Sequence, residues 1–203
     1  MHESVLAFVA EVVSRDDVAG KSVLEVGSAN VNGSVRPQIE AMGPASYLGI
    51  DLAPGPGVDE VAPRGVEDWR PTLGKSPSAF DLVVSCEMLE HAERWQAAFA
   101  AMARLVAEGG KLVLTCRGPG FPRHNPPDHW RFTTSDLWHA AIMCDLWPTI
   151  VRADPQVPGA FLVAERAFGA DSGPLQPHAK NVVVWLRGQA VAGMPTVLEA
   201  PHR

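Results

Sequence analysis

Glu87, Glu90 and His91 stand at i, i+3 and i+4 in the run Glu-Met-Leu-Glu-His. In one helical turn that spacing puts two carboxylates and an imidazole on one face. Such a set suits a divalent cation of the Mg²⁺ or Mn²⁺ kind, with positions left open for substrate oxygens. Downstream, His124, Asp128 and His129 fall within six positions of a proline-rich loop. Each of these histidines reads as a metal ligand, a proton acceptor or a satisfied structural residue. His2, His139, His178 and His202 fall outside these segments and receive no role.

A second set of residues lies nearer the N-terminus. Glu25 precedes Gly27, Gly33 follows six positions later, and Asp51 stands 26 positions after Glu25. A glycine after a strand lets the backbone approach a ligand closely. An acid closing the next strand commonly accepts both hydroxyls of a ribose. The loop is not Gly-x-Gly-x-x-Gly, and an acid ahead of the glycine is a poor neighbour for pyrophosphate. A cationic ligand without phosphate would instead welcome Glu25.

Positioning these groups requires strands that end where the acids sit. Residues 22–27 and 80–85 read as buried strands, residues 47–51 as a strand ending in an acid, and 111–115 as another. Residues 58–62, 150–151 and 160–164 are shorter candidates. Helical spacing is predicted over 5–13, over 34–42 with Ser34 as N-cap, over 95–107, and over 135–142 with Thr134 as cap. Gly109 and Gly110 are read as the stop of the third of these helices. The alternation implies an α/β fold with a largely parallel central sheet and helices on both faces. Ligands in such sheets bind at the carboxyl ends of the strands.

The segments VLEVGSANVNGSV, YLGID, FDLVVSCEMLEH and GGKLVLT resemble, in order and spacing, the class I S-adenosylmethionine-dependent methyltransferases. That resemblance, carried by residues 22–142, implies a Rossmann-like methyltransferase domain, taken as residues 1–168. The tail is proline-rich with one apolar run at 182–186, so residues 169–203 read as an arm that packs on the core or on a second subunit of a homodimer. The resemblance implies that Glu25, Gly27 and Gly33 surround the amino acid portion of S-adenosylmethionine and that Asp51 holds the ribose, with Leu52 beside the adenine. Ser85 and Cys86 would flank the sulfonium. Glu67 and Asp68 are the nearest counterparts of the acid that family members carry after strand three. The sequence departs from the family at Ala29 and Val31, where glycines are usual.

The Glu-x-x-Glu-His pattern further resembles metal-dependent O-methyltransferases, and the Trp-Arg-Phe-Thr run at 130–133 resembles bacterial sugar and polysaccharide methyltransferases. By that likeness Glu87, Glu90 and His91 bind Mg²⁺, with His124 or another loop residue completing the site. The catalytic residues would be His91, Asp128 and His129. Trp130 reads as core, or with Phe132 as an apolar wall for a sugar face. The expected reaction is O-methylation of a small polar acceptor, a sugar or oligosaccharide such as a methylated-polysaccharide precursor. A metal-free O-, N- or C-methyltransferase with a histidine base, and a non-catalytic methyltransferase-like binding module, are the alternatives.

Composition narrows the classes. The 203 residues carry a net charge of −6 with 46% hydrophobic and 20% charged residues, which fits a packed domain and leaves no global basic field to hold a long nucleic acid. The three cysteines are far apart and unpaired in number, which fits a reducing, cytoplasmic setting. No apolar run approaches a membrane span.

Overall fold

The computed structural model describes residues 1–62, 80–123 and 127–167, together with the backbone of residues 189–190. Its core is a seven-stranded sheet. In chain order the strands are β1 (Ser22–Val26), β2 (Ser46–Asp51), β3 (Glu60–Val61), β4 (Phe80–Cys86), β5 (Val106–Arg117), β6 (Trp130–Arg131), β7 (Trp147–Ala153), β8 (Gly159–Glu165) and β9 (Gln189–Ala190). The sheet order is β3-β2-β1-β4-β5-β8-β7, and β6 pairs with β9 apart from it. The ladders among β1 to β5 are parallel, while β8 runs antiparallel to both β5 and β7.

The two-residue period of the strands sorts their side chains into two cores. Val23 and Val84 face one side, where α1 (Glu3–Val12) packs with Val5, Phe8 and Val9, α2 (Arg15–Val18) with Val18, and α3 (Arg36–Glu40) with Ile39. Leu24, Val83 and Leu114 face the other side, against Trp95, Phe99 and Met102 of α4 (Trp95–Leu105) and Leu137 of α5 (Thr134–Met143). Each large side chain buried in this way contributes on the order of 2 kcal/mol. Both faces are covered, as the strand–helix alternation predicts.

Three sequence-based boundaries change. Gly109 and Gly110 do not stop a helix: α4 ends at Leu105, and both glycines lie inside β5. The β4–β5 register slips between Phe80 and Leu82, and Gly109 takes φ +69°, so the pair absorbs an irregularity in the ladder. The buried Arg166 side chain donates to the carbonyls of Ala103 and Val106 and so satisfies the end of α4. The cap of α5 is Thr133 and not Thr134, in a capping box with Asp136. Ser34 is not the N-cap of α3; its hydroxyl accepts from the Arg36 amide ahead of a shorter helix.

The chain crosses from β3-β2-β1 to β4-β5 in the middle of the sheet. That switch opens a crevice at the carboxyl ends of β1, β2, β4 and β5. Beyond residue 167 only the β9 backbone is described, antiparallel to β6. The 169–203 arm otherwise lies outside the described residues.

Candidate cofactor and acceptor site

Glu25 is the penultimate residue of β1 and only 3% exposed. Its register partner in β2 is Gly49, and its carboxylate accepts a hydrogen bond of 2.7 Å from the Tyr47 hydroxyl. Burial pushes the Glu25 carboxyl up to about 7, with the Tyr47 hydrogen bond and the nearby Arg36 charge pulling back only part of the way. A buried acid held by a neutral phenol is half of an ion pair.

The loop after β1 turns at Gly27, where φ is +80°, and the amides of Gly27 and Ser28 donate to the Ile50 carbonyl. A Cβ on Gly27 would meet Met88 at 2.6 Å, and one on Gly49 would lie 2.4 Å from the Gly57 carbonyl oxygen. The glycines therefore allow three segments to close on one another. Asp51, at the end of β2, accepts from the amides of Ala29 and Leu52. Each of its oxygens keeps a second lone pair, enough for ribose hydroxyls. Leu52 is exposed beside it, and Gly33 sits at φ +109° with its amide on Asn30.

Arg36 escaped sequence reading. Its guanidinium pairs with Glu40 and Asp59, donates to the Gly57 carbonyl, and stacks 4.6 Å over the Tyr47 ring. Asp59 in turn accepts from the Gly49 amide. The cluster ties α3 and the loop after β2 to the Glu25 end of the sheet. An acid 23 positions after an arginine carries no local pattern that would have revealed it. Glu67 and Asp68 lie outside the described residues.

At the carboxyl end of β4, Ser85 is fully buried and donates to the Val26 carbonyl at 2.9 Å, locking β4 to β1. Cys86 is buried and free, as are Cys116 and Cys144. Glu87 then adopts φ +57°, a left-handed conformation that costs a residue with a side chain on the order of 1 kcal/mol or more. Its Oε2 accepts from Arg117 Nη2, a buried guanidinium at the end of β5. The face of that guanidinium lies 4.1 Å from the Phe121 ring. Burial drives the Glu87 carboxyl upward, and the Arg117 charge opposes it.

Glu90 is fully buried, with no side-chain hydrogen-bond partner for its carboxylate among the described residues. Burial raises it to about 8, so it is largely protonated at neutral pH. His91 Nδ1 lies 3.2 Å from the Pro127 carbonyl. His129 donates its backbone amide to the Glu90 carbonyl. Its ring Nδ1 is buried without a hydrogen-bond partner among the described residues. Asp128 is buried and ion-paired with Arg131, whose guanidinium also holds the Phe121 and Pro122 carbonyls. This network shapes the acceptor loop. Trp130 and Phe132 are buried, as a core reading requires, and Phe132 packs edge-on against Trp95. Beyond Arg117, Gly118, Thr133, Asp154 and Pro158 line a cavity of about 260 Å³.

A family model described as a methyltransferase domain matches residues 1–147. The chain belongs to this methyltransferase family. A ubiquinone biosynthesis O-methyltransferase of Pseudomonas paraeruginosa is 31% identical over 110 residues, 50% of this chain and 46% of that protein. The chain thus spans about half the length of that curated relative. Among solved structures, an S-adenosylmethionine-dependent methyltransferase from Mesorhizobium loti superposes with TM-score 0.60 at 14% identity, covering 80% of this chain and 98% of the other. The 1,6-didemethyltoxoflavin-N1-methyltransferase of Burkholderia thailandensis, with bound S-adenosylhomocysteine, does so at TM-score 0.57 and 12% identity, covering 81% and 76%. These similarities are of fold. They bear out the Rossmann-like sheet of a methyltransferase. No helix among the described residues is long and apolar enough to cross a membrane.

The methyltransferase cofactor suits the first half of the site. Gly27 and Gly49 leave no room for a side chain, Glu25 has a neutral partner, and Asp51 ends its strand with lone pairs to offer. Mg²⁺ does not suit the described residues of the second half. Among them, no three His, Cys, Asp or Glu side chains are grouped to hold a metal. The shared helical face expected for Glu87, Glu90 and His91 does not form. Glu87 is left-handed and precedes the turn, and Leu89–His91 is a single 3₁₀ turn. The three side chains diverge to Arg117, to the interior and to the Pro127 carbonyl. His124 lies outside the described residues.

Proposed function

We propose that this chain catalyses methyl transfer from S-adenosylmethionine to a hydroxyl oxygen of a small polar acceptor, a sugar or oligosaccharide, with an imidazole as base. The observation that carries the cofactor reading is Glu25. It is an acid buried at the switch point, beside a glycine turn, with a neutral hydrogen-bond donor. An α-ammonium group would complete its ion pair. When bound, the cofactor supplies a methyl carbon already activated by a sulfonium, so the protein has to align and deprotonate the acceptor.

His91 is suited to the proton transfer. A carbonyl can only accept, so the contact with Pro127 fixes the proton of His91 on Nδ1 and leaves the lone pair on Nε2. The similarity to an O-methyltransferase supports oxygen as the acceptor atom. The Trp-Arg-Phe-Thr resemblance supports the sugar class.

The test begins with calorimetric titration of S-adenosylhomocysteine. Labelled methyl transfer to mannosides and glucosides follows, with and without EDTA. Binding followed by EDTA-insensitive transfer is expected. His91→Asn should lower transfer by roughly 10²- to 10⁴-fold at unchanged S-adenosylhomocysteine affinity. No binding would remove the cofactor reading, EDTA-sensitive transfer the metal-free one, and full activity of His91→Asn the base.

A further inference from the structure

The phenol that meets Glu25 is itself held in place. The Tyr47 hydroxyl donates to Glu25 at 2.7 Å, and the Arg36 guanidinium covers the Tyr47 ring at 4.6 Å. That guanidinium is fixed along its edge. Nε pairs with Glu40 at 2.8 Å, and Nη1 takes both Asp59 at 2.8 Å and the Gly57 carbonyl at 3.2 Å. Asp59 also accepts from the amide of Gly49, the register partner of Glu25. The pairs with Glu40 and Asp59 are partly open to solvent, where ion pairs add little stability. A planar guanidinium with its edge occupied still has its face to give, and an aromatic ring is what that face binds.

We propose that Arg36 is a positioning residue for the cofactor: stacked on Tyr47, it holds the phenol against Glu25 and keeps that carboxylate ready for the ammonium group. This rests on the assignment of Glu25 to the cofactor ammonium. The order of the groups carries the role, with cation, ring, hydroxyl and carboxylate in series. A cation on the ring face polarises the hydroxyl and strengthens its hydrogen bond to an anion. The surroundings of Glu25 give Arg36 a second effect of the same sign. Burial keeps the Glu25 carboxyl protonated to unusually high pH, and the charges of Asp59 in the loop after β2 and Asp51 at the end of β2 add to that. The Tyr47 hydrogen bond and the Arg36 charge oppose it. From β4 the Cys86 thiol, pushed up by burial and so neutral, faces the same group. Loss of Arg36 frees the ring and leaves the two aspartates unopposed.

The experiment uses the full chain, titrated calorimetrically with S-adenosylhomocysteine and with 5′-methylthioadenosine, which carries the adenosine and thioether without the amino acid end. Arg36→Met should weaken S-adenosylhomocysteine about tenfold at pH 7 and leave methylthioadenosine within about twofold. The pH midpoint of S-adenosylhomocysteine affinity should move upward in Arg36→Met and return towards the wild-type value in Arg36→Lys, which keeps a cation over the ring. Combined with Tyr47→Phe, Arg36→Met should lose less than the two single losses together, because Arg36 acts through that ring. Tyr47 is the single tyrosine of the chain, so its ring resonances identify themselves. In the wild-type chain they should shift with S-adenosylhomocysteine and stay in place with methylthioadenosine, a readout that needs no folded variant. Unchanged affinity in Arg36→Met, equal loss of both ligands, an unmoved midpoint, additive losses, or a Tyr47 ring indifferent to S-adenosylhomocysteine would each overturn the positioning role. Undiminished S-adenosylhomocysteine binding by Glu25→Gln would instead remove the reading beneath it.

Discussion

Glu25 makes cofactor affinity depend on pH. Its carboxyl is raised to about 7 by burial, and the ammonium of the cofactor pairs only with the ionised form. At about pH 8 most of the population is ready; at about pH 6 only roughly a tenth is. The dissociation constant of S-adenosylhomocysteine should therefore be about tenfold weaker at pH 6 than at pH 8, or about 1.4 kcal/mol. Binding near pH 7 should release about half a proton, measurable by calorimetry in two buffers of different ionisation heat. Tyr47→Phe removes the hydrogen bond that lowers the Glu25 pKa, so the midpoint should move upward. Glu25→Gln should bind weakly at every pH. A flat profile from pH 6 to 8, or a slope that survives in Glu25→Gln, would refute the assignment of Glu25 to the ammonium.

Two further outcomes follow from the packing. Gly49→Ala places a methyl 2.4 Å from the Gly57 oxygen and 2.8 Å from Ser28 Oγ, so it should cost about 1–3 kcal/mol in thermal unfolding and weaken S-adenosylhomocysteine binding with it. Glu90 is raised from 4.5 to about 8 in the folded chain, so its proton favours the native state at low pH. That contribution is lost as pH rises through this window. Glu90→Gln should therefore change melting little near pH 5 and stabilise the chain above pH 8; a variant that melts lower at high pH would contradict the burial argument.

The sequence by itself determined the sheet. Leu24, Val83 and Leu114 stand in short apolar runs bounded by turn residues, and such runs have few alternatives once helices alternate with them. It also determined that Glu25, Gly27 and Asp51 belong at strand ends, because a local pattern of strand, acid and glycine encodes that position. Spacing could not determine where Glu87, Glu90 and His91 point. A helical face was expected, but the left-handed residue at 87 and the 3₁₀ turn are set by contacts with β5 and the loop at 127–129. The pairing of Glu87 with Arg117, 30 residues apart, exists only because β4 and β5 lie side by side. The same holds for Arg36 and Asp59, which only the tertiary structure brings together. Local sequence fixes which residues end a strand, whereas the partners of a charge are decided by desolvation. A buried group has to take whatever complement the tertiary structure brings within reach.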